Sequence, residues 1–278
     1  MQLNISILSN FLNLALSEDL GINGDITSNT VINKKTMVNF QIIAKQDMIL
    51  CGSSVADWYF EKFAVKDYSW QGKDGAFIKK NTIILSGKAK AETILLLERT
   101  VLNFMQHLSG VATHTQKFVK EVEGLGAKIA DTRKTIPGMR ALQKYAVRCG
   151  GGINHRLALD SAIMIKDNHI MAAGSIKNAF VLANQNKPHY TKIIVECDTM
   201  EQFKEALSAG AEIILLDNMT PENVEICSEI NNGRVLIEVS GGINLSNVRK
   251  YAQAGADIIS VGAITHSSPA CDISLDII

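Results

Sequence analysis

Residues 192–262 read KIIVECDTMEQFKEALSAGAEIILLDNMTPENVEICSEINNGRVLIEVSGGINLSNVRKYAQAGADIISVG. Short apolar runs (193–195, 213–216, 235–239 and 258–261) alternate here with segments of helical period (200–207, 221–229 and 245–252). Gly, Asn or Asp loops join many of them, which is the signature of successive strand–helix units and a parallel sheet. Such a sheet either closes into a barrel or opens into a doubly wound fold. The residues that follow the strands decide between the two. Glu196, Asp217, Ser240-Gly241-Gly242 and Gly262 each stand at the end of a strand. In a barrel the C-terminal strand ends converge on one mouth, so all of them can serve one site. In an open sheet only the strands beside the switch point can do so. No glycine-rich dinucleotide or Walker pattern supports the open form. The reading is α/β, with a C-terminal, incomplete (β/α) barrel of the TIM type.

The same texture extends upstream to Gly126. Strands are expected at 128–130, followed by Asp131-Thr132-Arg133-Lys134, and at 163–165, followed by Lys166, with helices at 139–147 and 176–183. The stretch 131–170, DTRKTIPGMRALQKYAVRCGGGINHRLALDSAIMIKDNHI, carries Arg133, Lys134, Arg140, Lys144, Arg148, Arg156 and Lys166, with His155 and His169. Only Asp131, Asp160 and Asp167 oppose them, in a chain that has 28 basic and 28 acidic residues overall. Cations of fixed geometry beside the run Gly150–Gly152 suit a small, multiply anionic ligand. Arg140, Lys144 and Arg148 lie at helical spacing and read as a solvated helix face. Arg133, Lys134, Arg156 and Lys166 fall at element ends, where ligand-binding residues concentrate.

Ahead of the barrel, a helix is expected over 9–20 with Gly21 as its stop, then a loop through EDLGINGDITS. A half-buried strand follows at 37–44, a helix at 55–63, a turn at 72–75 and a strand at 82–85. The longest apolar helix pattern covers 91–108, and its isolated cation, Arg99, reads as an arginine snorkelling at a helix edge. The alternating tail 272–278 is expected to return as a strand to the N-terminal domain.

Composition narrows the function classes. Net charge near zero, pI near 7 and 6% aromatic residues give no footprint for nucleic acid. No apolar run approaches a membrane span, and the N-terminus has no basic region or cleavage site. Cys51, Cys149, Cys197, Cys227 and Cys271 are scattered and never form a C-x-x-C pair. That usage fits reduced thiols in a cytoplasmic protein, with no disulfide framework or zinc site.

Several residues keep two readings on spacing alone. Glu196 and Asp217 could hold Mg²⁺, bind sugar hydroxyls or stabilise positive charge, or simply pair with cations across the mouth. Lys166 is either an anion clamp or a Schiff-base amine. The glycines of Ser240-Gly241-Gly242 and Gly262 either cradle a phosphate or make turns. Asp167-Asn168-His169 reads as loop-fixing hydrogen bonds rather than a metal cluster.

At these residues the chain resembles the quinolinate phosphoribosyltransferase family (decarboxylating nicotinate-nucleotide pyrophosphorylases). The resemblance rests on EDLG and GDIT within 18–27, ERTVLNF at 98–104, LSG at 108–110 and the long central motif at 131–157. It continues through IKDNHI at 165–170, LLDNM at 215–219, EVSGGI at 238–243 and SVGAITHS at 260–267. The GINGDIT loop is slightly longer than the family's usual spacing, and His107 stands where arginine is frequent. The resemblance implies two domains, an N-terminal α/β sandwich over 1–112 joined by 268–278 and an incomplete barrel over 113–267, in a homodimer or higher assembly whose active site is shared between subunits. It implies that Arg133, Lys134, His155 and Arg156 hold the two carboxylates of quinolinate, with Arg99 supplied by the neighbouring subunit. It also implies that Lys166, Glu196 and Asp217 serve phosphoribosyl pyrophosphate and its Mg²⁺, while Ser240, Gly241, Gly242 and Gly262 take the 5-phosphate. Lys134, Lys166, Glu196 and Asp217 are the expected catalytic residues, and the expected products are nicotinate mononucleotide, pyrophosphate and CO₂ for NAD biosynthesis.

Overall fold

A computed structural model describes residues 3–278. In chain order the elements are a 3-10 turn at Ile5–Leu8, α1 (Ser9–Leu20), α2 (Ile26–Val31), β1 (Met37–Ala44), β2 (Met48–Ile49), α3 (Ser53–Lys62), β3 (Asp67–Trp70), β4 (Phe77–Ile78) and β5 (Ile83–Lys90). Then come α4 (Ala91–Glu121), β6 (Lys128–Ala130), α5 (Arg140–Cys149), β7 (Ile163–Ile165), α6 (Asp167–Ala173), α7 (Ile176–Asn186), β8 (Ile193–Cys197) and α8 (Met200–Ala209). The chain ends with β9 (Ile213–Asp217), α9 (Pro221–Asn231), β10 (Leu236–Ser240), α10 (Val248–Gln253), β11 (Ile258–Ser260), α11 (Ala263–His266) and β12 (Ile273–Ile277).

Two compact units emerge. The first holds the chain up to His114, Ile136–Gly151 and Ser268–Ile278. Its main sheet is antiparallel in the order β12-β1-β5-β3, with Ile42 opposite both Leu275 and Leu85. The tail therefore returns as the alternation of Ile273, Leu275 and Ile277 requires. On β1 the residues Phe40, Ile42 and Ala44 are fully buried, the period-two face of a half-solvated strand. The α3 helix packs on that sheet through Phe60, whose ring meets Phe40 and Tyr68 edge-on. Asp57 on α3 accepts hydrogen bonds from Tyr68 Oη and Trp70 Nε1, which ties the helix to β3.

Local chemistry corrects several expectations in this unit. The glycine- and aspartate-rich loop after α1 ends earlier than expected, because Asp25 accepts from Ser28 N–H and starts α2. The helix expected over 91–108 continues to Glu121, and the first unit's opening segment ends within it, at His114. Residues 136–151, expected in the barrel, belong to the first unit. There Gln143 bonds to His107 Nε2 and Tyr145 Oη donates to Asp74, so α5 is held by side chains of the first unit. Of the three cations on α5, Lys144 is buried, Arg140 is half-buried and Arg148 alone is exposed, so the solvated face expected there is largely absent.

The second unit, Thr115–Thr135 with Gly152–Ser267, contains six parallel strands in the order β6-β11-β10-β9-β8-β7. Consecutive strands from β7 to β11 are neighbours, and β11 pairs with β6, the first strand of the series. First beside last is the order of a barrel. Its open seam lies between β6 and β7, where Ile153 makes a single parallel bridge to Ala130. The connecting helices start and stop on local signals. Ser175, Thr199 and Thr220 cap N-termini with side-chain oxygens, and Gly174, Gly210 and Asn232 end helices in the left-handed region. Short loops follow from these stops, and they hold the strand ends in register: Ser240 lies opposite Asp217, and Ser260 opposite Ala130.

Within the first unit, Gly110 on α4 lies against the chain at Pro269, where a Cβ would sit 2.2 Å from the Pro269 carbonyl oxygen. Glycine to alanine in a helix interior ordinarily gains about 1 kcal/mol. Gly110→Ala should instead lose about 2 kcal/mol, because backbone must shift to admit the methyl group. Urea denaturation of the variant checks the sign.

Candidate active site

All six strand ends of the barrel open into one cavity of about 570 Å³. Its walls include Arg133 and Lys134 after β6, Lys166 after β7, Glu196 on β8, Asp217 on β9, Ser240, Gly241 and Gly242 at β10, and Gly262 after β11, with His155 and Arg156 from the loop after Gly152. Every site residue expected from the sequence lines this cavity except Arg99. The arginine stands on α4 in the first unit with its side chain 66% exposed, 3.4 Å from the carboxylate of its neighbour Glu98.

The cationic side of the cavity is anchored from β6. Asp131, fully buried at the strand end, accepts from His155 N–H through Oδ1 (2.9 Å) and from Asn154 Nδ2 through Oδ2 (2.6 Å). One carboxylate thus fixes the Asn154-His155-Arg156 loop to the strand that carries Arg133. Arg156 donates from Nη1 to the Ala162 carbonyl at 2.9 Å, while its Nε is buried with no hydrogen-bond acceptor. Burial first, and the nearby Arg133 guanidinium second, hold Arg156 below its ordinary value. A buried donor of this kind costs free energy until an acceptor arrives. Two guanidinium groups facing one cavity favour a ligand with more than one anionic group.

The carboxylates of the cavity are already engaged. Lys166 Nζ lies 2.5 Å from Glu196 Oε2, a pair whose lysine is 42% exposed and whose glutamate is 14% exposed. Asp217 accepts from Ser240 Oγ and, at 2.8 Å, from Asn218 Nδ2. Gly241 sits at φ +93°, and a Cβ there would meet Asn218 Oδ1 at 2.2 Å, so its conformation serves the packing of the β9 and β10 ends. Gly242, at φ +63°, faces open space. The Lys134 carbonyl accepts from Thr265 Oγ1 at 2.8 Å, and Lys134 Cδ lies 3.2 Å from where a Gly262 Cβ would be. At Asp167-Asn168-His169, Lys166 N–H donates to His169 Nδ1 (3.0 Å) and Asn168 N–H to Asp167 Oδ1 (2.7 Å). The expected hydrogen bonds are present, but they start helix α6 and do not fix a loop.

The sequence matches a model of the quinolinate phosphoribosyl transferase N-terminal domain over residues 25–109 and one of the C-terminal domain over 111–276. The chain belongs to the quinolinate phosphoribosyltransferase family. The nicotinate-nucleotide pyrophosphorylase (carboxylating) of Mycobacterium leprae is 40% identical over 269 residues, covering 95% of this chain and 94% of that protein. Among solved structures, the nicotinate-nucleotide pyrophosphorylase of Ehrlichia chaffeensis is 43% identical with a TM-score of 0.93, over 97% of this chain and 98% of that one. The enzyme of the same name from Francisella tularensis is 38% identical with a TM-score of 0.95, over 100% of this chain and 98% of that one.

The cavity is also lined by Glu238, Ser260 and His266, which the sequence reading did not single out as site residues. Ser260 Oγ donates to Glu238 Oε1 at 2.5 Å. His155 Nε2 is 3.4 Å from the same oxygen, with both side chains almost fully buried. Burial pushes the Glu238 carboxyl up to about 7, and the charge of Glu196 adds to the rise against the opposing Ser260 bond. A signal was present: Glu238 is the lone charge on an apolar strand, two residues before Ser240 and so on the same face. His107, where the family often has arginine, is half-buried, bonded to Gln143 and held below its usual value by burial.

A carboxyl raised in the folded state keeps its proton while the unfolded chain, near 4.5, has lost it. Stability therefore falls as pH rises from about 4.5 to about 7 and is level beyond. Glu238→Gln, which keeps an acceptor for Ser260, should remove that fall. Its stability relative to wild type should improve by roughly 2.5 kcal/mol between pH 5 and 8, since each tenfold change in proton affinity is worth about 1.4 kcal/mol; any lost polar contact shifts the stability equally at every pH. Urea titrations at pH 5, 6, 7 and 8 measure it; a difference that does not change with pH would contradict the assignment.

Proposed function

We propose that this chain is a nicotinate-nucleotide pyrophosphorylase of the quinolinate-using type, which joins quinolinate to phosphoribosyl pyrophosphate and releases nicotinate mononucleotide, pyrophosphate and CO₂ for NAD biosynthesis. The observation that carries it is the cavity itself, which gathers Arg133 and Arg156, the Lys166–Glu196 pair, Asp217 and the open Gly242 backbone. Quinolinate's two carboxylates would satisfy the cations, including the acceptor-less Arg156 Nε, with Lys134 and His155 beside them. The phosphorylated sugar would then lie toward Asp217, Ser240, Gly241, Gly242 and Gly262.

In that arrangement the pyridine nitrogen attacks the anomeric carbon as pyrophosphate leaves. Glu196 or Asp217 stabilises the oxocarbenium-like charge that develops, and Lys166 offsets the charge of the leaving group. The carboxylate next to the now cationic ring nitrogen departs as CO₂, because the ring stabilises the carbanion left behind, and that carbon then takes a proton from water. Positioning and electrostatics supply most of the acceleration. Glu196 and Asp217 offer the hard oxygen ligands that suit Mg²⁺, which when bound with substrate phosphates supplies neutralising charge. Lys166 at 2.5 Å from Glu196 serves charge pairing in this reading, in preference to Schiff-base chemistry, which needs a neutral amine.

Oligomeric sharing of the site is part of the proposal. Arg99 does not line the cavity, and its exposed guanidinium is available to a second copy of the chain. No helix among the described residues is long and apolar enough to cross a membrane, and a homodimer in the cytoplasm suits this reading.

Turnover should require both carboxylates. With phosphoribosyl pyrophosphate and Mg²⁺, quinolinate should yield nicotinate mononucleotide, whereas nicotinate should be slower by at least about 10³-fold, because it leaves a buried cation unmatched. Comparable rates for the two acids, followed by chromatography of the nucleotide product, would exclude the proposed site.

Arg99→Ala and Lys166→Ala should each be nearly inactive alone. Mixed after subunit exchange, they should recover roughly a quarter of wild-type activity, since half of the randomly formed dimers are mixed and carry one intact site of two. Activity that stays at single-mutant level, with exchange verified by differently tagged chains, would place Arg99 outside a shared site.

A further inference from the structure

The five cysteines are all free thiols, and scattered as they are in sequence, the first unit brings two of them together. Cys51 ends the segment after β2, and Cys149 is the last residue of α5. Their sulfurs and a carboxylate oxygen of Asp74 all lie within 4.8 Å of one another. Cys51 is fully buried and its backbone is clamped: its N–H donates to Ser109 Oγ at 3.0 Å, and its carbonyl accepts from the same hydroxyl at 3.1 Å. Cys149 is half-buried, so a small reagent can reach it.

Asp74 shows what kind of site this is. Its carboxylate already accepts from Gly52 N–H (3.2 Å), Ser53 N–H (3.1 Å) and Tyr145 Oη (3.0 Å). That carboxylate anchors the start of α3 and ties α5 to it, with little capacity left for a metal ion. Two sulfurs within 4.8 Å of each other, one buried and one half-buried, remain as the reactive pair.

We propose that Cys51 and Cys149 form an oxidisable dithiol, with Cys149 the attacking thiolate and Cys51 the resolving thiol, that closes to a disulfide linking the start of α3 to the end of α5. The Cys51 thiol hydrogen bond, with help from Tyr145 and Arg148, holds Cys149 below the ordinary thiol range, while burial pushes Cys51 well above it. That split matches an attacker and a resolver. The oxidant is a hydroperoxide. Cys149 sulfur takes the terminal oxygen as the O–O bond breaks, and the alcohol or water leaves with the proton, giving a sulfenic acid. Cys51 sulfur then attacks Cys149 sulfur, the S–O bond breaks, and the hydroxyl departs with the Cys51 proton as water. Two thiols lose two electrons in all, and one peroxide gains them. The bond closes a loop of roughly 100 residues, long enough to stabilise the fold measurably.

The test uses the intact, fully reduced protein with hydrogen peroxide, followed by alkylation and peptide mass spectrometry. The expected result is one cross-linked species joining the Cys51 and Cys149 peptides, lighter than the reduced pair by two hydrogens and reversed by dithiothreitol. The oxidised protein should melt roughly 5 °C higher, and Cys149→Ser, an exchange at a half-buried position, should abolish both the cross-link and the rise in melting temperature. Cys149 carried to sulfinic acid with Cys51 alkylated separately would overturn the proposal, as would two unreacted thiols. So would a bound zinc ion that is found by elemental analysis of the reduced protein and lost in Cys149→Ser.

Discussion

The pairing of β11 with β6 is the constraint on which the barrel depends. Without it the six parallel strands could lie as an open ribbon, and residues 133 and 262 would stand at opposite edges. With it, Ser260 lies opposite Ala130, the Lys134 carbonyl accepts from Thr265, and the ends of the first and last strands share one wall. Every later feature of the cavity presupposes that closure. Asp131 sits at the end of the same β6 strand and uses both carboxylate oxygens to hold the Asn154-His155-Arg156 loop. One short strand thus positions the cations on both of its sides.

Closure also sets the electrostatics. Parallel strands aimed at one mouth bring like charges together: Arg156 against Arg133, and Glu238 against Glu196. The structure balances some of this internally, through Lys166 on Glu196 and Ser240 on Asp217, and leaves the Arg156 Nε without an acceptor. A site arranged this way is stable enough to fold and still gains when an anion enters. Preorganised charge of this kind needs no rearrangement at the moment of reaction, which is why a transfer that separates and moves charge suits it.

Much of this was legible in the sequence because a parallel strand buried on both faces is a short apolar run, and here each run stops at a residue with chemistry to offer. The strands at Lys128–Ala130 and Ile163–Ile165 match their expected bounds, and the other barrel strands fall within two residues of theirs. What was hidden depended on tertiary partners. The charges of α5 read as a solvated face, but Gln143 and Tyr145 dock that helix in the first unit and bury Lys144. The two-residue strands β2 and β4 are too short to show a period. Glu238 was overlooked because it lies inside its strand, whereas the candidates were taken from the residues that follow each strand. Arg99 is an exposed arginine beside a glutamate on its own helix, and only the resemblance suggested a role for it.

The central claim is that the cations of the barrel mouth are there for two carboxylates of one small ring. A crystal structure of the protein soaked with quinolinate tests this most directly. The account predicts the pyridine ring inside the cavity, with its carboxylates accepting from Arg133 and Arg156 and an oxygen placed on Arg156 Nε. Quinolinate bound instead along Ser240–Gly242, or outside the barrel mouth with Arg156 Nε still without an acceptor, would contradict it.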